Sequence, residues 1–165
     1  MKITEIKQHK KQYLPLLLLA DEQEEMIDRY LEQGTMYLLE DHGVKGECVV
    51  LEIDENTLEI KNIAIDPQFH GQGYGKILID FIENHYHHQY SILQVGTGDS
   101  SLTLPFYLKL GFISSHRIQN FFIDYYDHPI YENGVQLKDM IYLKKELNKK
   151  QWENSLFVKI DKVEI

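Results

Sequence analysis

Asp66-Pro67-Gln68-Phe69-His70-Gly71-Gln72-Gly73-Tyr74-Gly75-Lys76 is the stretch around which the rest of the chain is organised. A run of β-forming residues, Leu58 to Ile65, leads into it, and a helical pattern from Tyr74 leads out. Gly71, Gly73 and Gly75 alternate at the junction. Glycine tolerates positive φ and lets a ligand come close to the backbone. The first N–H groups of a helix have no partner inside it and lie at its positive end. A glycine turn entering a helix is therefore suited to phosphate. A plain tight turn is the competing reading of the same residues.

Upstream, Thr35 to Glu40, Val44 to Ile53 and Leu58 to Ile65 read as strands, separated by the turns Asp41-His42-Gly43 and Asp54-Glu55-Asn56. Loops this short imply an antiparallel meander. Residues 2–6 alternate as a first strand. Leu16 to Leu19 read as a buried helical stretch, and Asp21 with Glu24 as a capping box for a second helix. That helix carries Met26, Ile27, Tyr30 and Leu31 at spacings of three and four and ends at Gly34.

Downstream, the helix after the glycine turn presents Ile77, Leu78, Phe81 and Ile82 on one face. His85, His87 and His88 crowd its end, where they suit the helix dipole; no metal is expected there. Ser91 to Val95 reads as a short strand and Gly96 to Ser101 as a polar loop. A short helix follows, with Pro105 in its first turn and Gly111 at its end. Residues 117–123 and 135–144 read as two long strands. Their connection holds Tyr125, Tyr126, His128, Tyr131 and the turn Glu132-Asn133-Gly134.

The chain has 165 residues, 43% of them hydrophobic and 26% charged, which suits one domain with a real core. We expect that domain over residues 1–145, with 146–165 as an extension suited to an edge strand or a dimer contact. A net charge of −9 argues against a nucleic-acid or anionic-membrane surface and mildly favours a cationic partner. The single cysteine, Cys48, reads as a core residue in a β-like run. The first residues show no signal-peptide pattern, and the run Leu14 to Ala20 is too short to span a membrane. A cytoplasmic protein is the expectation.

Two motifs in order carry a resemblance: Ile63-Ala64-Ile65-Asp66-Pro67 with His70-Gly71-Gln72-Gly73-Tyr74-Gly75-Lys76, and later Tyr107-Leu108-Lys109-Leu110-Gly111-Phe112. With the element order around them, they resemble the GNAT (GCN5-related) N-acetyltransferase family. The resemblance covers residues 35–113 well and, by element order, most of 1–145. It implies an α/β (α+β) fold with a mixed, mostly antiparallel sheet of about seven strands and about four helices. It implies acetyl-CoA as donor, with no metal. Gly71 through Lys76 would hold the pyrophosphate, and Ile63, Ala64 and Ile65 would pair with the pantetheine arm like an added strand. A backbone N–H there would face the acetyl oxygen. The sequence departs from the family pattern at His70, where Gln or Arg is usual, but His70 can still donate a hydrogen bond to the pyrophosphate and is counted with the CoA site. It departs again at Ser100, which would replace the Asn that contacts the CoA arm in many members.

Direct transfer to an amine needs a neutral nucleophile, a stabilised oxyanion and a proton for the departing thiolate. Tyr107 matches the family's acid for that thiolate; the alternative is a packing residue at a helix end. Glu59, Asp99 or a water held by Asn62 are the candidates for removing the amine's proton. The expected acceptor is a small cationic metabolite or drug, or a protein Lys or N-terminus. Tyr125, Tyr126, His128 and Tyr131 are candidates for its wall, and Asp124, Asp127 and Glu132 beside them would suit a cationic acceptor, with a solvated loop as the competing reading. A non-catalytic acyl-CoA-binding or sensing module on the same fold is the alternative. A nucleotide-binding protein is a third class, but Gly71-x-Gly73-x-Gly75 is neither a dinucleotide fingerprint nor a P-loop.

Overall fold

A computed structural model describes residues 1–147. Among them, β1 (Lys2–Ile6) is followed by α1 (Leu14–Ala20), α2 (Glu24–Asp28), β2 (Thr35–Glu40), β3 (Val44–Asp54) and β4 (Thr57–Ile65). Then come α3 (Tyr74–Tyr86), β5 (Ile92–Gly98), α4 (Leu104–Lys109), β6 (Ile113–Ile118) and α5 (Phe121–Asp124). A small hairpin of β7 (Tyr131–Glu132) and β8 (Val135–Gln136) precedes β9 (Met140–Glu146). Seven strands form one sheet in the order β1-β2-β3-β4-β5-β9-β6. The expected meander is there: β1 to β4 pair antiparallel in sequence order. Only β4 and β5 run parallel, because their connection carries α3 across one face of the sheet. None of these helices is long and apolar enough to cross a membrane.

The sheet is covered on both faces, so consecutive residues of its central strands are buried whichever way they point. Tyr37, Leu39, Cys48, Val50, Ile60, Leu93 and Val95 pack with Leu78, Ile79 and Ile82 of α3. Met36 and Val49 point the other way, onto Leu17, Ile27, Tyr30 and Leu31. The period of two along β2 and β3 divides these cores. Each fully buried Leu or Ile contributes roughly 1.5–3 kcal/mol. Lys10 closes the smaller core: its buried ammonium donates to the Leu31 carbonyl at 2.8 Å and the Gly34 carbonyl at 2.7 Å.

Five local expectations are corrected. Asp21 does not start α2; it is the C-cap of α1, and Gln23 precedes α2 without a side-chain cap. The second helix stops at Asp28, and turns carry the chain to Gly34. Gly96, Thr97 and Gly98 are strand, paired with Tyr142, Ile141 and Met140. Their two glycines admit close neighbours: a Cβ at Gly96 would lie 2.9 Å from Met140 Sδ, and one at Gly98 2.6 Å from Leu137 Cδ1. The run 117–123 is not one strand either. The chain turns at Asn120, in the left-handed region at φ 56°, where its N–H donates to Asp139 Oδ1 at 2.9 Å. Phe121–Asp124 then forms α5, and the run 135–144 divides between β8 and β9. The extension 146–165 lies outside the described residues from position 148 on.

Candidate active site

The parallel ladder between β4 and β5 runs from Thr57–Ile92 to Ile60–Val95 and stops. At that point β4 carries a bulge: Val50 faces Ile60 and Val49 faces Asn62, leaving Lys61 as the extra residue. A bulge bends its strand and sharpens its twist. The two strands diverge, and a cleft of about 830 Å³ opens between Ile60–Ile65 on one side and Val95–Gly98 on the other. Past Ile60, β4 is paired only with β3 among the described residues, so one backbone edge faces the cleft.

The glycine turn forms one end. After β4 a 3₁₀ turn, Pro67–Phe69, is capped by Asp66 Oδ1, which accepts the Gln68 N–H at 3.0 Å. His70 folds back, and its Nε2 donates to the Ile65 carbonyl at 2.8 Å. Gly71 and Gly73 have φ +77° and +88°, and a Cβ on either would meet open space. Gly73 is the N-cap of α3, so the unpaired amides of its first turn open here. Gly75 has another reason to be glycine: a Cβ there would stand 3.0 Å from Phe106 Cζ. His70, Gly71, Gly73, Tyr74, Gly75 and Lys76 line the cleft, together with Ile63, Ala64 and Ile65; Gln72 does not. Tyr74 is steadied by donating to Asp41 Oδ2 at 2.8 Å.

Tyr107, on α4, also lines the cleft and is 6% exposed. Its ring stands edge-on to Phe106 at 5.1 Å and to Phe112 at 5.6 Å. Burial, and behind it Cys48 and Glu132, push its phenol up, so it holds its proton at neutral pH. Ser100 is buried but does not line the cleft; its Oγ accepts the Leu102 N–H at 3.1 Å before α4. The hydroxyls on the wall at that height belong to Thr97 and Thr103, 2.7 Å apart.

Neither candidate carboxylate for the amine's proton lines the cleft. Glu59 is held by Lys61 Nζ at 2.6 Å and Gln94 Nε2 at 2.5 Å. Asp99 is exposed and 3.4 Å from Arg117. Asn62 does line it, donating from Nδ2 to the Leu17 carbonyl and the Tyr30 hydroxyl, each at 3.0 Å. Of the four aromatic candidates for the wall, only Tyr126 lines the cleft. It donates to Asp21 Oδ1 at 2.8 Å, and Tyr30 donates to Asp21 Oδ2 at 3.3 Å. Burial pushes the Asp21 carboxyl up against the pull of those phenols. Asp21, Glu22 and Glu132 are the carboxylates on the wall; of the three acids expected on the acceptor side only Glu132 is there, Asp124 and Asp127 are not, and Asp21 and Glu22 are not among those expected. The signal for Glu132 is the density of tyrosines and acids in 124–132; Asp21 and Glu22 have none in the sequence. His85 is packed among aromatic rings, stacked on Phe81 at 5.4 Å.

The family model described as "Acetyltransferase (GNAT) domain" matches residues 32–114, which hold the bulged strand, the glycine turn and Tyr107. The chain is 37% identical over 131 residues to the uncharacterized N-acetyltransferase YvbK of Bacillus subtilis, covering 78% of this chain and 84% of that protein. A crystal structure of a GNAT family acetyltransferase from Elizabethkingia anophelis, with acetyl-CoA bound, superposes with a TM-score of 0.83 at 38% identity. It covers 88% of this chain and 97% of its own. A structure described as an IAA acetyltransferase from Bacillus cereus superposes with a TM-score of 0.81, also at 38% identity, covering 88% and 98%. The diverging strands, the glycine turn and these likenesses agree: the chain belongs to the GNAT family of acetyl-CoA-dependent N-acetyltransferases.

Proposed function

We propose that this protein moves the acetyl group of acetyl-CoA directly onto a primary amine, through a tetrahedral intermediate, with Tyr107 giving its proton to the departing CoA thiolate. The amides from Gly71 to Lys76 hold the pyrophosphate, where φ above zero at Gly71 and Gly73 keeps the backbone open. The free edge of β4 at Ile63, Ala64 and Ile65 takes the pantetheine arm as an added strand, and an N–H of that edge faces the oxyanion.

The observation that carries this reading is one continuous cleft, with the start of α3 at one end, the buried Tyr107 on its wall and carboxylates at the other end. Those carboxylates and the net charge of −9 favour a cationic acceptor. The test is to titrate acetyl-CoA against the protein and then follow thiol release with small polyamines, aminoglycosides, peptide lysines and peptide N-termini. Binding followed by amine-dependent thiol release is the expected result. No binding sinks the reading, and tight binding without release for any amine marks an acyl-CoA-binding module instead.

A further inference from the structure

The acetyl-transfer reading leaves the acceptor's own proton without a destination. An alkylammonium, with a pKa near ~10.4, has no lone pair for attack at neutral pH. The base must be a carboxylate, histidine or water within reach of the cleft. Glu59 and Asp99 are tied to Lys61 and Arg117 away from it. Glu47 is fully buried on β3 and does not line it. Of the three carboxylates that do, Asp21 has each oxygen engaged by a phenol, from Tyr126 and Tyr30. Glu22 is half exposed, with His128 Nε2 at 3.9 Å.

Glu132 differs from both. It sits on the β7–β8 hairpin, turned by Asn133 at φ 51° and Gly134 at φ 75° and anchored by the Leu137 N–H on the Ile130 carbonyl at 2.8 Å. Phe122, Ile130 and Leu137 form a small core with that hairpin's flanks. Glu132 Oε2 is closed off from solvent, with no hydrogen-bond partner among the described residues. A shielded carboxylate oxygen without a donor has acceptor capacity left for a cationic N–H that enters the cleft. The residue shares the cleft wall with Tyr107, close enough for its charge to act on that phenol.

We infer that Glu132 is the base of this enzyme, taking a proton from the acceptor ammonium opposite Tyr107. The inference rests on the acetyl-transfer reading above. The carboxylate takes one proton from R–NH₃⁺, and the freed lone pair forms the C–N bond to the acetyl carbon. The C–S bond breaks as Tyr107 delivers its proton to sulfur, and the second proton on nitrogen returns to the Tyr107 phenolate. Glu132 then releases its proton to solvent. The other titratable groups on the cleft wall are Asp21 and Glu22 before α2, Lys61 on β4, Tyr107 on α4, Tyr126 after α5 and, at the glycine turn, Tyr74, Lys76 and His70, whose Nε2 is engaged by the Ile65 carbonyl.

The test is Glu132→Gln, assayed from pH 6 to 10 with an amine that the wild type acetylates, alongside acetyl-CoA affinity. The expected kcat/KM for the amine falls by about a hundredfold or more at pH 7. The deficit shrinks as pH climbs toward the amine's own pKa, where free amine needs no base. Acetyl-CoA affinity stays within about threefold. A rate within about threefold of wild type at pH 7, or a deficit that is the same at every pH, overturns the assignment. Lost acetyl-CoA affinity would mark a misfolded variant, and Glu132→Asp then decides: a profile shaped like the wild type's upholds the assignment, and a flat one overturns it. A wild type that acetylates no amine sinks the acetyl-transfer reading and this assignment with it.

Discussion

The two ends of the cleft are made from different parts of the covalent structure. The donor end is consecutive backbone: the last residues of β4, the turn through Gly71 and Gly73, and the first turn of α3. The acceptor end is side chains from distant stretches, and the Asp21–Tyr126 hydrogen bond joins residues 105 apart. A site built from backbone depends on conformations, so it leaves a contiguous pattern of glycines behind a strand. A site built from side chains depends on convergence, which only the fold supplies. The variants below probe that division, and the first of them sits where the two ends meet.

Tyr107→Phe should give the largest effect. Removing the phenol's proton while keeping the ring against Phe106 and Phe112 should cut kcat by about 10²–10⁴-fold. Acetyl-CoA affinity, measured by calorimetry, should change by less than about threefold. Turnover near the wild-type rate with every active amine would return Tyr107 to a packing role. Gly73→Val comes next and acts on the donor end alone. A β-branched residue at φ +88° strains the turn by roughly 1–3 kcal/mol and puts methyl groups where the phosphate would approach. We expect acetyl-CoA affinity to fall by roughly ten- to a hundredfold, with the surviving complex still showing the wild-type pH profile. Unchanged affinity would mean that this turn is not the pyrophosphate site.

What the sequence made legible follows the same division. The meander, the glycine turn, α3 and the Tyr107 helix are local patterns, each specified by periodicity, turn residues or motif spacing, and each is where the sequence reading put it. The errors lie where long-range partners overrule local signals. Gly96-Thr97-Gly98 has loop composition, yet β9 pairs with all three; the glycines are there for packing against Met140, Tyr142 and Leu137. Asp21 and Glu24 have capping-box spacing, but the Asp21 carboxylate is claimed by two tyrosines, one of them beyond α5. Ile118 to Ile123 looks extended by composition, but the Asp139 side chain accepts the Asn120 N–H and fixes a turn there. None of these contacts has a signature within a short window of sequence.

The core beneath α1 and α2 also carries a stability cost. Glu47 on β3 faces the same side as Val49, beneath α1 and α2, and both its oxygens lack a hydrogen-bond partner among the described residues, as does Asn62 Oδ1. Burial pushes the Glu47 carboxyl well above its ordinary value of 4.5. Above that value the folded state therefore binds more protons than the unfolded one, and stability falls as pH rises toward the raised pKa. Glu47→Gln removes this titration. Thermal melts should show a smaller loss of Tm between pH 5 and pH 8 in the variant than in the wild type, by a few degrees, on the order of 4 °C for each kcal/mol recovered. Parallel curves for the two proteins would show that Glu47 finds compensation the fold does not reveal.

The smallest expected effect, Ser100→Ala, sharpens the boundary of the donor end. The family resemblance assigns this position to the CoA arm, whereas the Ser100 hydroxyl is engaged at the turn before α4 and stands off the cleft wall. Thr97 and Thr103 present their paired hydroxyls to the cleft instead. If the wall hydroxyls are what the arm meets, Ser100→Ala should lower stability by about 1 kcal/mol through the lost turn bond and leave acetyl-CoA affinity within about twofold. Thr97→Val, nearly the same shape without the hydroxyl, should weaken acetyl-CoA binding more than Ser100→Ala does. The reverse order would mean that Ser100 turns toward the ligand when acetyl-CoA binds. In that case one member of the donor end is set by ligand and not by backbone, and the contrast between the two ends is less complete than the cleft suggests.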